Sequence, residues 1–216
     1  MTAGRWTLRG SLVCLVACGG AAGTETSGTG GSDAGQVATT QVQGQVNGRS
    51  FDAKDAISAL VDHTNGFEFL GTVPFVEITD FPGACALSAQ NKGPTDSRVL
   101  LLGFGVNDAS GKSTAPVAPA TFAVHDDSAP LPPSAKVAQV YYGSGCGKDV
   151  SYFGTSGTVT LTKIDADNTY EGGFDVVLSC AAFSTCSGGD AHLTGSFRST
   201  ACGTLATSIN STPACM

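Results

Sequence analysis

"GTVTLTKIDADNTYEGGFDVVL", Gly157 to Leu178, decides the fold. Apolar and hydroxyl side chains alternate from Thr158 to Thr162, so Val159 and Leu161 share one face and the threonines the other, the period-two signature of a half-buried strand. Asp165-Ala166-Asp167-Asn168 then supplies turn chemistry, and Tyr170, Phe174, Val176 and Leu178 pattern the returning strand. Ala191, Leu193 and Phe197 continue the alternation in the next one, which leaves His192 and Arg198 facing outward. Toward the N-terminus, Val42 to Val46 meets Phe51 across Asn47-Gly48, the strongest short hairpin signal. Val99 to Val106 is an almost unbroken apolar run and predicts a strand buried on both faces. Further strands are predicted at Phe67 to Gly71, Phe75 to Thr79, Thr121 to His125 and Val137 to Tyr142. Ala53 to Val61 suits a strand or two helical turns, with the strand preferred. About ten short strands separated by Gly, Pro and Asp turns predict an all-β domain, an antiparallel β-sandwich or barrel, over residues 37–216.

Composition agrees. Of 216 residues only 13% are charged while 29 are glycine, a balance that favours strands and turns over helices. Lys and Arg number 11 against 18 Asp and Glu, a net charge of −7, which argues against nucleic acid as a partner. No apolar run reaches the roughly 18 residues needed to span a bilayer as a helix.

The N-terminus has a different character. Arg5 and Arg9 precede a short apolar run, Ser11 to Ala17, and small residues follow, which is the layout of a secretory signal. Residues 19–35 hold seven Gly, five Ser or Thr, three Ala and two acidic residues, too little apolar surface to fold. Seventeen such residues reach roughly 20 to 25 Å. Leu15-Val16-Ala17-Cys18 resembles the lipobox of bacterial lipoproteins. That resemblance implies a signal peptide over 1–17, diacylglycerol on the Cys18 thiol, and a flexible linker over 18–36 that tethers the domain to a membrane. Gly19 stands where the family's inner-membrane retention signal has Asp, so the implied destination is the outer membrane. Two or more acyl chains anchor stably where one holds only marginally. Cys14 lies within the apolar run and is expected to leave with the signal. The competing reading is an ordinary secreted protein cut near Ala22. The segments "GQVNGRSFDAKDA", "PATFAV" and "LTGSFRSTAC" are similar to the single β-domain of small bacterial lipoproteins, a likeness that implies a fold and no activity.

Six cysteines remain behind Cys18: Cys85, Cys146, Cys180, Cys186, Cys202 and Cys215. An even number in an exported chain predicts three disulfides. Cys180 and Cys186 flank one inter-strand loop and form the expected local pair. Cys202 with Cys215, and Cys85 with Cys146, complete the expected set. Metal binding is disfavoured, because there is no CxxC and His63, His125 and His192 are scattered.

Several apparent motifs dissolve on inspection. "GVNDASGKST", Gly105 to Thr114, has one residue too many for a phosphate loop, and prolines rather than a helix follow it. Asp165 and Asp167 have calcium-loop spacing, but Tyr170 stands where Gly is required. Cys146 in "GSGCGK" has no correctly spaced histidine. Tyr141, Tyr142 and Tyr152 could stack on a ligand but are expected to cover core or strand faces. No cofactor is expected. The reading favoured by the residues is a lipid-anchored envelope protein with a structural, interaction or ligand-binding role. His125 beside Asp126 and Asp127 reads as a polar loop, and the alternative function is a hydrolase whose site is assembled from distant residues, for instance His125 with Asp126 or a serine. A carbohydrate-binding module is disfavoured because Trp6, the single tryptophan, precedes the mature domain.

Overall fold

The computed structural model describes residues 39–62, 67–126, 128–144, 146, 150–182, 184–186 and 188–216. The signal segment with Cys14, the lipobox with Cys18, the linker, His63 and Asp127 lie outside the described residues. The first half of the domain comprises β1 (Gln41–Val46), β2 (Arg49–Ser50), β3 (Asp55–Val61), β4 (Val73–Thr79), α1 (Ala84–Ala89), β5 (Lys92–Gly93), β6 (Arg98–Asn107) and β7 (Ser113–Thr114). The second half comprises β8 (Ala120–Val124), β9 (Lys136–Ser144), β10 (Ser151–Ile164), β11 (Tyr170–Cys180), β12 (Ala191–Arg198), β13 (Thr200–Ala201), α2 (Leu205–Ser208) and β14 (Ala214–Cys215).

The main sheet runs in the order β13-β3-β4-β6-β9-β8-β10-β11-β12-β1-β2, with β7 on β6, and curls strongly into a half-barrel. Most pairings are antiparallel, as the turn spacing predicts. Two are parallel, β13 on β3 and β8 on β9, so the sheet is mixed. The curl has identifiable causes. β10 carries register shifts between Gly154 and Ser156 and between Leu161 and Lys163, and such bulges bend a strand and increase its twist. β10 also changes partner along its length, with Thr158–Leu161 on β8 and Ser151–Phe153 on β9. Cross-strand glycines let the backbone coil, and phenylalanine rings cover them: Phe174 lies opposite Gly195, Phe197 opposite Gly172, and Phe75 opposite Gly103.

The curled sheet buries one face as its main core, with Leu100, Leu102, Phe104, Phe122, Tyr152 and Phe197 among the fully buried side chains. A second cluster covers the opposite face of β3, β4, β6 and β9, where Ile57, Phe75, Leu101 and Val137 meet Phe67, Phe69, Ala84 and Leu205. This double covering explains the unbroken apolar run in β6.

The Asn47-Gly48 hairpin forms as read, both turn residues having positive φ (53° and 73°). Asp165 to Asn168 likewise turns β10 into β11, with Asn168 in the left-handed region at φ 66°. Within Ala53 to Val61, the residues Asp55–Val61 form strand β3 and no helix. Phe67 to Gly71 does not form a strand: Leu70 makes one isolated bridge to Lys112. Side chains replace the ladder there, the amide of Glu68 donating to Gln139 Oε1 at 2.8 Å and that of Leu70 to Ser113 Oγ at 3.2 Å. Among the described residues two short helices form, α1 and α2, and neither is in the sequence-based expectation.

Candidate functional site

Three disulfides form among the six cysteines. Cys180–Cys186 is the local pair expected, but the other two partners are exchanged: Cys85 joins Cys202 and Cys146 joins Cys215. The physical reason is the path of the C-terminus. β13 adds to the edge strand β3, and the amide of Cys202 donates to the carbonyl of Ser58, which sets Cys202 beside α1. The tail then crosses to β5, where β14 pairs in parallel and brings Cys215 to Cys146, two residues past the end of β9.

Together α1, β5, α2 and the tail make a cover over the outer face of β4, β6 and β9. Its parts are tied to one another by polar contacts. Ser88 shares a hydrogen bond with Ser208, Ser211 donates to Asn91 Oδ1 at 2.8 Å, and the amide of Ala214 donates to the carbonyl of Asn91 at 2.9 Å. Beneath the cover is a cavity of about 440 Å³, a volume within the usual range for small-molecule sites.

The cavity floor follows from strand register. Glu77 of β4 lies opposite Ile57 of β3 on one side and Leu101 of β6 on the other, and Leu101 lies opposite Tyr141 of β9. Directly paired residues point to the same face, so Glu77, Leu101 and Tyr141 form one transverse row under the cover. Phe81, Val99 and Ile209 add apolar wall, and Lys92 stands exposed at the edge. The Tyr141 ring crosses the space above Gly143, where a Cβ would come within 2.4 Å of its hydroxyl, and that hydroxyl meets Ser151 Oγ at 3.0 Å.

Two polar groups here have no protein partner among the described residues. The half-buried Glu77 carboxyl makes no hydrogen bond or ion pair, and burial, reinforced by the negative charge of Asp55, pushes its pKa up to about 7. Ser97 lines the wall with a buried, unbonded Oγ. Buried polar atoms are normally satisfied, so the buried Ser97 Oγ, beside a half-buried carboxyl with no protein partner, distinguishes this hollow. A smaller one of about 280 Å³ is lined by Arg49, Arg98 and Tyr142. There Arg98 is already committed to Asp80, with Nε donating to the carboxylate at 2.7 Å.

The other sequence candidates disperse. His125 Nε2 contacts the carbonyl of Ala129 at 2.7 Å, while Asp126 accepts from the amide of Ser128, so the two do not form an acid–base pair. His192 is exposed, as read, and meets Asp175 at 2.6 Å. Tyr142 and Tyr152 are buried in edge-to-face contact and belong to the core. Gly105 to Thr114 is the hairpin from β6 to β7, turned by Asp108, whose carboxylate accepts from the amides of Ser110 and Lys112. Asp165 pairs with Lys163, and Asp167 accepts from the amide of Thr169. Among the described residues no group of three or more His, Cys, Asp or Glu side chains could hold a metal ion. No helix among them is long and apolar enough to cross a membrane.

The sequence pattern does not single out Glu77, whose one signal is a carboxylate between the apolar residues Val76 and Ile78 of β4. No family model, curated protein or solved structure matches this chain.

Proposed function

We propose that this chain is a lipid-anchored protein of a bacterial cell envelope, tethered at Cys18, whose disulfide-bonded β domain binds a small ligand beneath its C-terminal cover. The cavity carries the ligand-binding part of this reading: its volume suits a small molecule, and two polar groups within it lack partners. The three disulfides suit an oxidising, extracytoplasmic compartment. The lipobox resemblance supplies the anchor, and Gly19 after Cys18 points to the outer membrane.

Intact-mass measurement of membrane-extracted protein tests the tether. The expected product starts at Cys18, carries acyl chains and has six oxidised cysteines, whereas a Cys18→Ala variant leaves the membrane fraction. A mature chain that starts elsewhere and is recovered in buffer removes the anchor. NMR of the labelled protein with a panel of small fragments tests the cavity. Shift changes are expected at Leu101, Tyr141 and Ile209, and a panel that perturbs none of them removes the ligand-binding role.

A further inference from the structure

We infer that the cavity takes a small organic cation, an ammonium or guanidinium on an apolar body, with Glu77 as its counter-ion. This rests on the ligand-binding reading of the same cavity and adds the class of ligand. Glu77 lacks a protein partner among the described residues. Its carboxylate sits in the floor row between Ile57 and Leu101, and no described residue donates to it. A half-buried ionised carboxylate in an apolar row is stabilised by a counter-charge with hydrogen-bond donors. A ligand ammonium supplies both, and charge-assisted bonds of this kind are about twice as strong as neutral ones.

The surroundings favour a cation over an anion. β3 contributes Asp55, which lies opposite Thr79 on the same face as Glu77 and is already held by the amides of Ala56 and Ala84. β9 contributes the Tyr141 hydroxyl, and β5 contributes Lys92, exposed at the edge. Among the lining residues that leaves Glu77 as the charged group on the floor. Leu101, Val99 and Ile209 offer apolar contact for the ligand body, and the Tyr141 side chain, in the same row as Glu77, adds an aromatic wall. Ser97 adds a buried hydroxyl with no present partner.

Linkage gives the expected pH response. With the free Glu77 pKa at about 7, a permanently protonated amine must displace the carboxyl proton in acid, so its affinity falls about tenfold between about pH 8 and about pH 6.

Titration of the full chain, disulfides intact, with phenethylamine and with its neutral isostere phenethyl alcohol decides the matter, by calorimetry and by NMR shifts at Leu101 and Tyr141. The expected result near neutrality or above is at least tenfold preference for the amine. That preference should be lost in Glu77→Gln and should decline in the wild type on acidification. Equal binding of both probes, unchanged in Glu77→Gln, overturns the cation and leaves the cavity a neutral-ligand site. No shift with either probe overturns the cation, and if the fragment panel is also silent the ligand-binding reading falls with it. The wild-type pH series stands independently of how the variant folds.

Discussion

At the scale of the residue, Glu77 is the costly position. Most of β4 is buried, with Val73, Phe75, Val76 and Ile78 dividing between the two clusters, and the carboxylate interrupts that run. Burial, with Asp55 nearby, raises its pKa from 4.5 to about 7. The folded state therefore binds more protons than the unfolded chain between these two values, so stability falls as pH rises through this window. Glu77→Gln removes the ionisation. The variant is expected to match the wild type at about pH 4 and to exceed it by up to about 3 kcal/mol at about pH 8. Urea unfolding at the two pH values measures this, and a variant no more stable at the higher one contradicts the burial argument. A residue whose replacement strengthens the fold suits a role in binding.

At the scale of the element, β10 shows how a legible strand acquires a shape that its pattern does not specify. The alternation of Thr158 to Thr162 gives strand and face directly, and Val159 and Leu161 are buried as the period requires. The bulges and the change of partner from β9 to β8 arise from the register of neighbouring strands, which local alternation cannot encode. Gly157 is the hinge of this arrangement. It has φ +116°, and a Cβ there would lie 2.1 Å from the Asp175 carbonyl oxygen, a backbone atom that cannot swing aside. Gly157→Ala is expected to cost roughly 2 kcal/mol or more. Gly203→Ala, where nothing lies within 4 Å, should stay within about 0.5 kcal/mol of wild type. Denaturant midpoints of the two variants make the comparison.

At the scale of the whole molecule, the disulfides hold together what the sheet leaves open. Cys85–Cys202 and Cys146–Cys215 span 117 and 69 residues, against 6 for Cys180–Cys186. On loop-closure entropy the long pairs contribute about 4 to 5 kcal/mol each and the short one about 2 kcal/mol. Paired Cys→Ala replacement is therefore expected to lower Tm most for Cys85 with Cys202 and least for Cys180 with Cys186. Loss of Cys146–Cys215 should also speed hydrogen exchange in the tail while strands β10 to β12 remain protected. A uniform loss across the three variants would show that native-state strain or residual unfolded structure governs instead.

Most of the strands with their buried faces, the hairpin turns, the presence of disulfides and the one bridge whose cysteines flank a single loop are legible in the sequence. Each follows from side chains a few residues apart, where alternation and turn chemistry act. Only the tertiary structure decided the two long disulfides, the side-chain anchoring of Phe67 to Gly71, the cover and the cavity with Glu77 on its floor. Those depend on a tail that adds to one edge strand and then crosses to another. Such long-range backbone pairing is set by the packing of the whole sheet, and no short stretch of residues contains it.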